Sequence, residues 1–202
     1  MGYNIFDHYL YASNLARGVV SLIKIGGTGN TSSVGTIPAP APNVNWNAGD
    51  VDVSGYYWAS ANGTKWILID VNPSRTSTYG KVVATGKSDP KGFTPIDWAY
   101  VPGGGNYLWA LGHNANYTRT QLMRFDRTLH TWTLETDFGS VAGQNAWGAV
   151  YAGASNTIIA SENVSGETWS FPLPSTGLKR GTKLSRGPAS NNNDGTRCPL
   201  AL

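Results

Sequence analysis

Charged side chains are scarce in this sequence. Only 13% of its 202 residues are Asp, Glu, Lys or Arg, which is about half the fraction usual in soluble domains. The net charge is +3, and the densest basic stretch is LKRGTKLSRG at 178–187. Nucleic-acid binding needs a broader basic surface, so we interpret this stretch as a solvated hairpin and expect no nucleic-acid partner.

Long apolar runs are missing as well. No run approaches the roughly 18 residues that a membrane span needs, so no membrane span is expected. The first ten residues, MGYNIFDHYL, lack the basic and apolar segments of a signal peptide.

Metal-binding and cofactor-binding patterns are equally sparse. The three histidines, His8, His113 and His130, show no metal-ligand spacing. The segment SNNNDG begins like a calcium loop, but Ala201 stands where the loop needs an acid. The glycine-rich segments lack the phosphate-loop pattern. We predict no metal and no cofactor, and leave open a calcium or sodium site in a central funnel.

Glycine, asparagine, serine and aromatic residues fill the sequence instead, and they recur in a repeat. Four short apolar strands, YLYAS, YYWAS, YLWAL and TIIAS, are centred on Tyr11, Trp58, Trp109 and Ile159, at spacings of 47, 51 and 50 residues. Each is preceded by one strand-like piece and followed by two more, with turn residues between them. Four strands per unit of this length indicate an all-β fold, a β-propeller, rather than a β-sandwich with accidental similarity.

The repeat divides a single propeller domain into units at about 1–43, 44–93, 94–143 and 144–189, followed by a closing strand or tail at 190–202. The tail resembles a fifth inner strand, which predicts five blades with the N-terminal blade incomplete in this chain. The alternative is a closed four-bladed ring with a disordered tail. Cys198, the only cysteine, is expected to form a disulfide with a cysteine absent from this chain.

Long motifs also carry a family resemblance, among them GDVDVSGYYW, DWAYVPGGGNYLWALG and SENVSGETWSFPLP. The chain resembles a domain of unknown function that recurs in secreted fungal proteins and in some bacterial surface proteins. The resemblance covers nearly the whole chain. It implies a five-part propeller-like fold, an extracellular or cell-surface location and no established enzymatic activity, and family members carry a cysteine in a longer N-terminal segment.

Four carboxylates are candidates for catalysis. If the protein were a glycoside hydrolase, Asp7, Asp52, Asp97 and Glu162 could supply the acid and the nucleophile or base that such enzymes need. The alternative is that these side chains cap turns and accept backbone hydrogen bonds between blades. Because the repeat places similar residues in similar environments, we expect the structural role and no catalysis.

The polar and aromatic side chains are instead expected to bind a ligand. Most of the tryptophans fall at repeat-equivalent apolar positions and are expected in the blade cores. The candidates expected to face outward or into the funnel are Asp52, Tyr56, Asp97, Trp98, Tyr107 and Asp194. The sequons at Asn30, Asn62, Asn116 and Asn163 are candidate glycosylation sites.

The sequence thus predicts a secreted or cell-surface binding module that is monomeric and takes a carbohydrate or an extracellular protein as its ligand. Two rival hypotheses remain: a glycoside hydrolase that uses funnel carboxylates, and a structural protein of a cell wall or matrix.

Overall fold

The computed structural model describes residues 1–37 and 44–200. These residues form sixteen strands and a 3₁₀ turn, Pro174–Thr176. The strands are β1 Gly2–Tyr3, β2 Leu10–Ala16, β3 Val19–Ile25, β4 Thr31–Thr36, β5 Ala48–Val51, β6 Tyr56–Ala61, β7 Lys65–Asp70, β8 Val82–Lys87, β9 Thr94–Tyr100, β10 Tyr107–His113, β11 Thr120–Asp126, β12 Trp132–Asp137, β13 Trp147–Gly153, β14 Thr157–Glu162, β15 Glu167–Pro172 and β16 Thr182–Arg186.

The strands form four antiparallel sheets, each made of four strands that are consecutive in the chain. The sheets are the blades of a β-propeller, numbered 1 to 4 in chain order, so the predicted architecture is confirmed. The predicted number of five blades is wrong. The residues assigned to a fifth inner strand contain no strand within 187–200, and the described residues contain no further sheet for them to join.

Two parts of the predicted organisation lie outside the described residues: the unit boundary after residue 43 and the last two residues of the tail. Within 1–37 and 44–200, no helix has the length and apolar character needed to cross a bilayer.

The hydrophobic core is divided among the three interfaces between successive blades. Tyr57 lies between blades 1 and 2, Trp58 between blades 2 and 3, and Trp109 between blades 3 and 4. β-branched and aromatic side chains suit such faces because they pack well on a pleated surface. The repeat-equivalent aromatic residues are therefore core residues, as expected.

The inner strands β1, β5, β9 and β13 pack side by side in that order. We call the end of the propeller where they begin the lower face and the end where they finish the upper face. The loops between the first and second strands of every blade consequently lie on the upper face. Residues 26–28, 30 and 173–175, which follow the third strands of blades 1 and 4, line openings together with residues of those loops.

The segment 190–198 lies between β13 and β1. Gly195 packs against Tyr151 of β13, and the Asp194 carboxylate forms an ion pair with the Met1 amine at 2.8 Å. The tail therefore contacts the innermost strands of both the last and the first blade, although it is not itself a strand.

A glycine lets one tyrosine connect blade 1 to blade 2. The ring of Tyr57 leans across Gly49 on the neighbouring strand, and its hydroxyl accepts a hydrogen bond from the Ser13 N–H of β2 at 3.2 Å. A Cβ atom on Gly49 would overlap that hydroxyl. Burial also raises the pKa of Tyr57, so the group stays protonated in the ordinary pH range.

Gly49→Ala is expected to lower the free energy of unfolding by about 1–3 kcal/mol, because overpacking in a core forces side chains out of place. Urea denaturation measures the change. The matched control is Gly27→Ala, since a Cβ atom there meets nothing within 4 Å. Equal stability of the two variants would contradict this account of the interface.

Candidate functional site

Asp52 is held by four partners at the upper end of β5. It is 3% exposed. Its carboxylate accepts hydrogen bonds from the N–H groups of Ser54 (2.9 Å) and Tyr56 (3.1 Å) and from the Trp58 indole (2.9 Å). It also forms an ion pair with Arg127 of blade 3 at 2.6 Å. Asp52 thus closes a turn and joins two blades, and these bonds occupy its carboxylate.

Asp97 is fully buried in the middle of β9. One carboxylate oxygen accepts the Gly49 N–H of β5 at 3.3 Å, and the other accepts the Val150 N–H of β13 at 2.8 Å. Burial and the negative charge of Asp194 hold the pKa of Asp97 well above its usual range. The side chain ties three inner strands together.

Asp50 makes a similar link one strand away. Its carboxylate accepts the Tyr100 N–H of β9 at 2.7 Å and the Val51 N–H at 2.8 Å. Burial raises the pKa of Asp50 to about 7, against 3.8 for an unperturbed Asp. Asp194 is close enough to raise the pKa of both Asp50 and Asp97, so we call these three side chains, with the Met1 amine that pairs with Asp194, the carboxylate cluster.

Asp7 and Glu162 are not part of this cluster. Asp7 lies in an upper-face loop and accepts the Tyr11 hydroxyl at 2.6 Å. Glu162 is fully buried at the lower face, where it accepts four backbone N–H groups and the Ser165 hydroxyl. A seven-residue inner strand separates the faces by about 20 Å, whereas paired glycosidase carboxylates lie roughly 5–10 Å apart. The structure therefore does not bring the four proposed hydrolase carboxylates together.

The aromatic candidates differ in their exposure. Trp98, expected to face outward or into the funnel, is 1% exposed and packs against Phe125 and Trp132, so that expectation is wrong. Tyr56 is half-buried under the Arg75 guanidinium, 4.3 Å from its ring centre. Tyr107 is half-buried and lines an open cleft on the upper face.

We call this opening the interblade cleft. It lies between blades 3 and 4, has a volume of about 250 Å³ and is lined by Gly103–Gly105, Tyr107, Trp109, Arg124 and residues 173–175. The Arg124 guanidinium stacks 4.2 Å from the centre of the Tyr107 ring. The Trp109 indole meets that ring edge-on and donates a hydrogen bond to the Gly104 carbonyl at 2.9 Å.

A second opening, the Tyr9 pocket, lies on the upper face of blade 1. It has a volume of about 500 Å³ and is lined by residues 7–9, 26–28 and 30–32. Tyr9 is 37% exposed, and its ring carries the Lys24 ammonium 4.7 Å from its centre. The pocket therefore combines an accessible aromatic ring with hydroxyl and amide groups.

The sequons also differ in accessibility. Asn30, Asn62 and Asn116 are exposed. Asn163 is 9% exposed and lies beside Gly148, which its amide oxygen approaches closely. This burial disagrees with the expectation that Asn163 is a glycosylation site.

Two further predictions remain untested. Cys198 is free and half-buried beside the Tyr3 hydroxyl, so its expected disulfide stays a prediction. Among residues 1–37 and 44–200, no three His, Cys, Asp or Glu side chains lie close enough to hold a metal ion together.

Comparison with family models identifies the family to which the chain belongs. Residues 1–200 match the repeat of unknown function DUF6923. The chain belongs to this family. No curated protein matches the sequence.

Solved structures with similar folds are distant in sequence. Hydrazine synthase from Kuenenia stuttgartiensis has a TM-score of 0.55 at 11% identity, over 91% of this chain and 48% of that one. A streptogramin B lyase has a TM-score of 0.51 at 13% identity, over 94% of this chain and 57% of that one. Virginiamycin B lyase from Staphylococcus aureus has a TM-score of 0.51 at 14% identity, over 90% of this chain and 54% of that one. The chain spans about half the length of these proteins, and at such identities the likeness shows the fold alone.

Within this DUF6923 chain, sequence reasoning did not find Tyr9 or Arg124 as surface-site residues. Arg124 lies in the middle of a strand, where nothing in the sequence shows that it stacks on Tyr107. Tyr9 directly precedes β2, and the sequence pattern predicts it to be part of that apolar strand. The signal that was available is the glycine enrichment of the upper-face loops at 26–29 and 103–105.

The central carboxylates predict a pH dependence of stability. Between about pH 4 and pH 7, folded Asp50 binds a proton that it lacks in the unfolded chain, so the free energy of unfolding falls as the pH rises. Asp97 acts in the same direction. Asp50→Asn is expected to make this decline shallower in urea denaturation between about pH 5 and pH 8.

The matched control for this series is Asp89→Asn. Asp89 is exposed, and hydrogen bonds from Lys91 lower its pKa, so its replacement should not flatten the decline. A pH profile of Asp50→Asn parallel to that of the unmodified protein would rule out the assigned shift.

Proposed function

We propose that this protein is a secreted or cell-surface binding module that holds a neutral sugar residue of a glycan in the interblade cleft. The observation that carries the proposal is the stacked pair of Tyr107 and Arg124 in an open cleft between two blades. Binding sites favour interfaces between structural units and combine aromatic surface with a few fixed polar groups.

The shape of the cleft supports a small, ring-shaped ligand. Gly105 lies against the Tyr107 ring, where a Cβ atom would come within 2.9 Å of Cδ2, and Gly104 lies equally close to the Trp109 indole. Glycine at both positions lets the loop settle against the aromatic rings and leaves the space beyond them open. About 250 Å³ suits one sugar residue rather than a folded protein segment.

The electrostatics favour a neutral ligand. The Arg124 guanidinium forms an ion pair with Glu135 at 2.8 Å, which balances its charge while its flat face remains stacked on Tyr107. Aromatic surfaces bind the apolar face of a sugar ring, and the guanidinium has further N–H groups to donate to hydroxyls. None of the described residues that line the cleft is a carboxylate, which favours binding over hydrolysis.

A glycan array followed by calorimetry tests this proposal. Tyr107→Ala is expected to weaken the Kd for the selected glycan at least about tenfold, which corresponds to about 1.4 kcal/mol. Arg124→Lys is expected to weaken it as well, because lysine keeps the charge but not the flat stacking surface. The control is Tyr117→Ala, which removes an exposed tyrosine of a lower-face loop. Undiminished binding by a folded Tyr107→Ala variant would place the site elsewhere.

A further inference from the structure

Three neighbouring strands of blade 1 bring Tyr9, Gly26 and Asn30 into one row. The registers of β2 with β3 and of β3 with β4, each continued by one residue, set Tyr9 opposite Gly26 and Gly26 opposite Asn30. The Gly26 N–H donates a hydrogen bond to the Asn30 carbonyl at 2.9 Å, which fixes the second pairing. Directly opposed residues in antiparallel strands present their side chains on the same face, so Tyr9 and Asn30 flank a position that has no side chain.

Gly26 lines the Tyr9 pocket between Tyr9 and Asn30. Cε1 of the Tyr9 ring lies 3.4 Å from where the Cβ atom of residue 26 would stand, and the Asn30 carbonyl oxygen lies 3.9 Å from the same point. A larger residue at this position would fill the gap between them. The remaining volume of about 500 Å³ exceeds the need of one sugar residue.

Asn30 has the chemistry of an attachment point. It begins the sequon Asn30–Thr31–Ser32, and its side chain is exposed. Ser32, the hydroxyl residue of the sequon, is exposed as well. The sequon therefore lies at the rim of a pocket with an accessible aromatic ring on its other side.

We infer that Asn30 carries an N-linked glycan whose first N-acetylglucosamine folds into the Tyr9 pocket and stacks on the Tyr9 ring. In the attachment step, Nδ2 of Asn30 forms a bond to C1 of the sugar in a lipid-pyrophosphate-linked oligosaccharide. The bond from C1 to the pyrophosphate oxygen breaks, the pyrophosphate leaves with the electron pair, and Nδ2 loses one proton to a base of the transferase. The inference rests on the extracellular location proposed above but not on the interblade cleft.

The other sequons lack this arrangement. Asn163 is buried. Asn116 precedes Tyr117, whose ring is stacked face to face on the His113 ring, with centroids 4.2 Å apart. The Tyr9 ring, by contrast, carries the Lys24 ammonium 4.7 Å from its centre and stacks on no aromatic ring among the described residues. Asn62 occupies a tight turn with positive φ at both Asn62 and Gly63. Among these sequons, the one at Asn30 lies at a pocket that contains an exposed aromatic ring.

The test uses protein secreted from a eukaryotic host and trimmed enzymatically to one N-acetylglucosamine per site. Mass spectrometry of peptides should find the sugar on Asn30. Relative to the Ser32→Ala variant, which loses only this sequon, the trimmed protein should unfold about 2–4 °C higher, the shift expected for one modest contact in a chain of this size.

A double-mutant design assigns this shift to the ring. The difference between sequon-intact and Ser32→Ala protein should vanish in a Tyr9→Ala background and persist in a Tyr9→Phe background. Removal of the Asn116 sequon by Asn116→Gln should give the same shift with or without Tyr9→Ala. Proton resonances of the Asn30-linked sugar should also move upfield through the ring current of Tyr9.

Two results would overturn the inference: an unmodified Asn30 in secreted protein whose other exposed sequons are occupied, or a shift that is equal in the Tyr9 and Tyr9→Ala backgrounds. Glycan binding at the interblade cleft is measured separately through Tyr107, so failure of one proposal is distinguishable from failure of the other.

Discussion

The buried carboxylate of Asp97 is the interaction on which the centre of this propeller depends. The four inner strands belong to different sheets and share no ladder of backbone hydrogen bonds, so their N–H groups at the axis need other acceptors. Asp97 supplies acceptors to β5 and β13 at once, and Asp50 links β5 to β9. A buried carboxylate is costly unless its hydrogen bonds are made, and the raised pKa values of both groups reflect that cost.

The proposed ligand sites accordingly lie away from the axis. Carboxylates that already hold strands together have few lone pairs left for a substrate, and Asp52 is likewise occupied by its turn and by Arg127. The interblade cleft and the Tyr9 pocket both lie among the upper-face loops, and the same arrangement occurs in each. A glycine stands beside a tyrosine ring, Gly105 beside Tyr107 and Gly26 beside Tyr9, and each pair borders an open cleft.

The sequence was sufficient to predict the blades but not their surfaces. Repeat-equivalent aromatic residues such as Trp58 and Trp109 were assigned correctly to the core, because the period of about 50 residues reports the architecture directly. Trp98 was misassigned because the alternation of side chains along a strand was taken to leave one face of the sheet exposed to solvent. Blade 3 has a neighbouring blade on each side, so both faces of its sheet are buried. Tyr9 lies beside Gly26 and Asn30 only because of the register of three paired strands, which the sequence does not specify. The fifth blade was inferred from a strand-like tail, but a strand needs a neighbouring strand, and none of the four described sheets includes residues 190–200.

The placement of the sequons is compatible with a binding site on the upper face. Asn62 and Asn116 lie in loops between second and third strands, so glycans attached there would extend from the lower face. Asn30 lies on the upper face, but in blade 1, across the axis from the cleft between blades 3 and 4. A glycan packed against Tyr9 would be held over its own blade instead of sweeping across the loops. The contact between the Asn30-linked glycan and Tyr9 would then cover an exposed aromatic ring and also keep the interblade cleft open to a glycan ligand from outside.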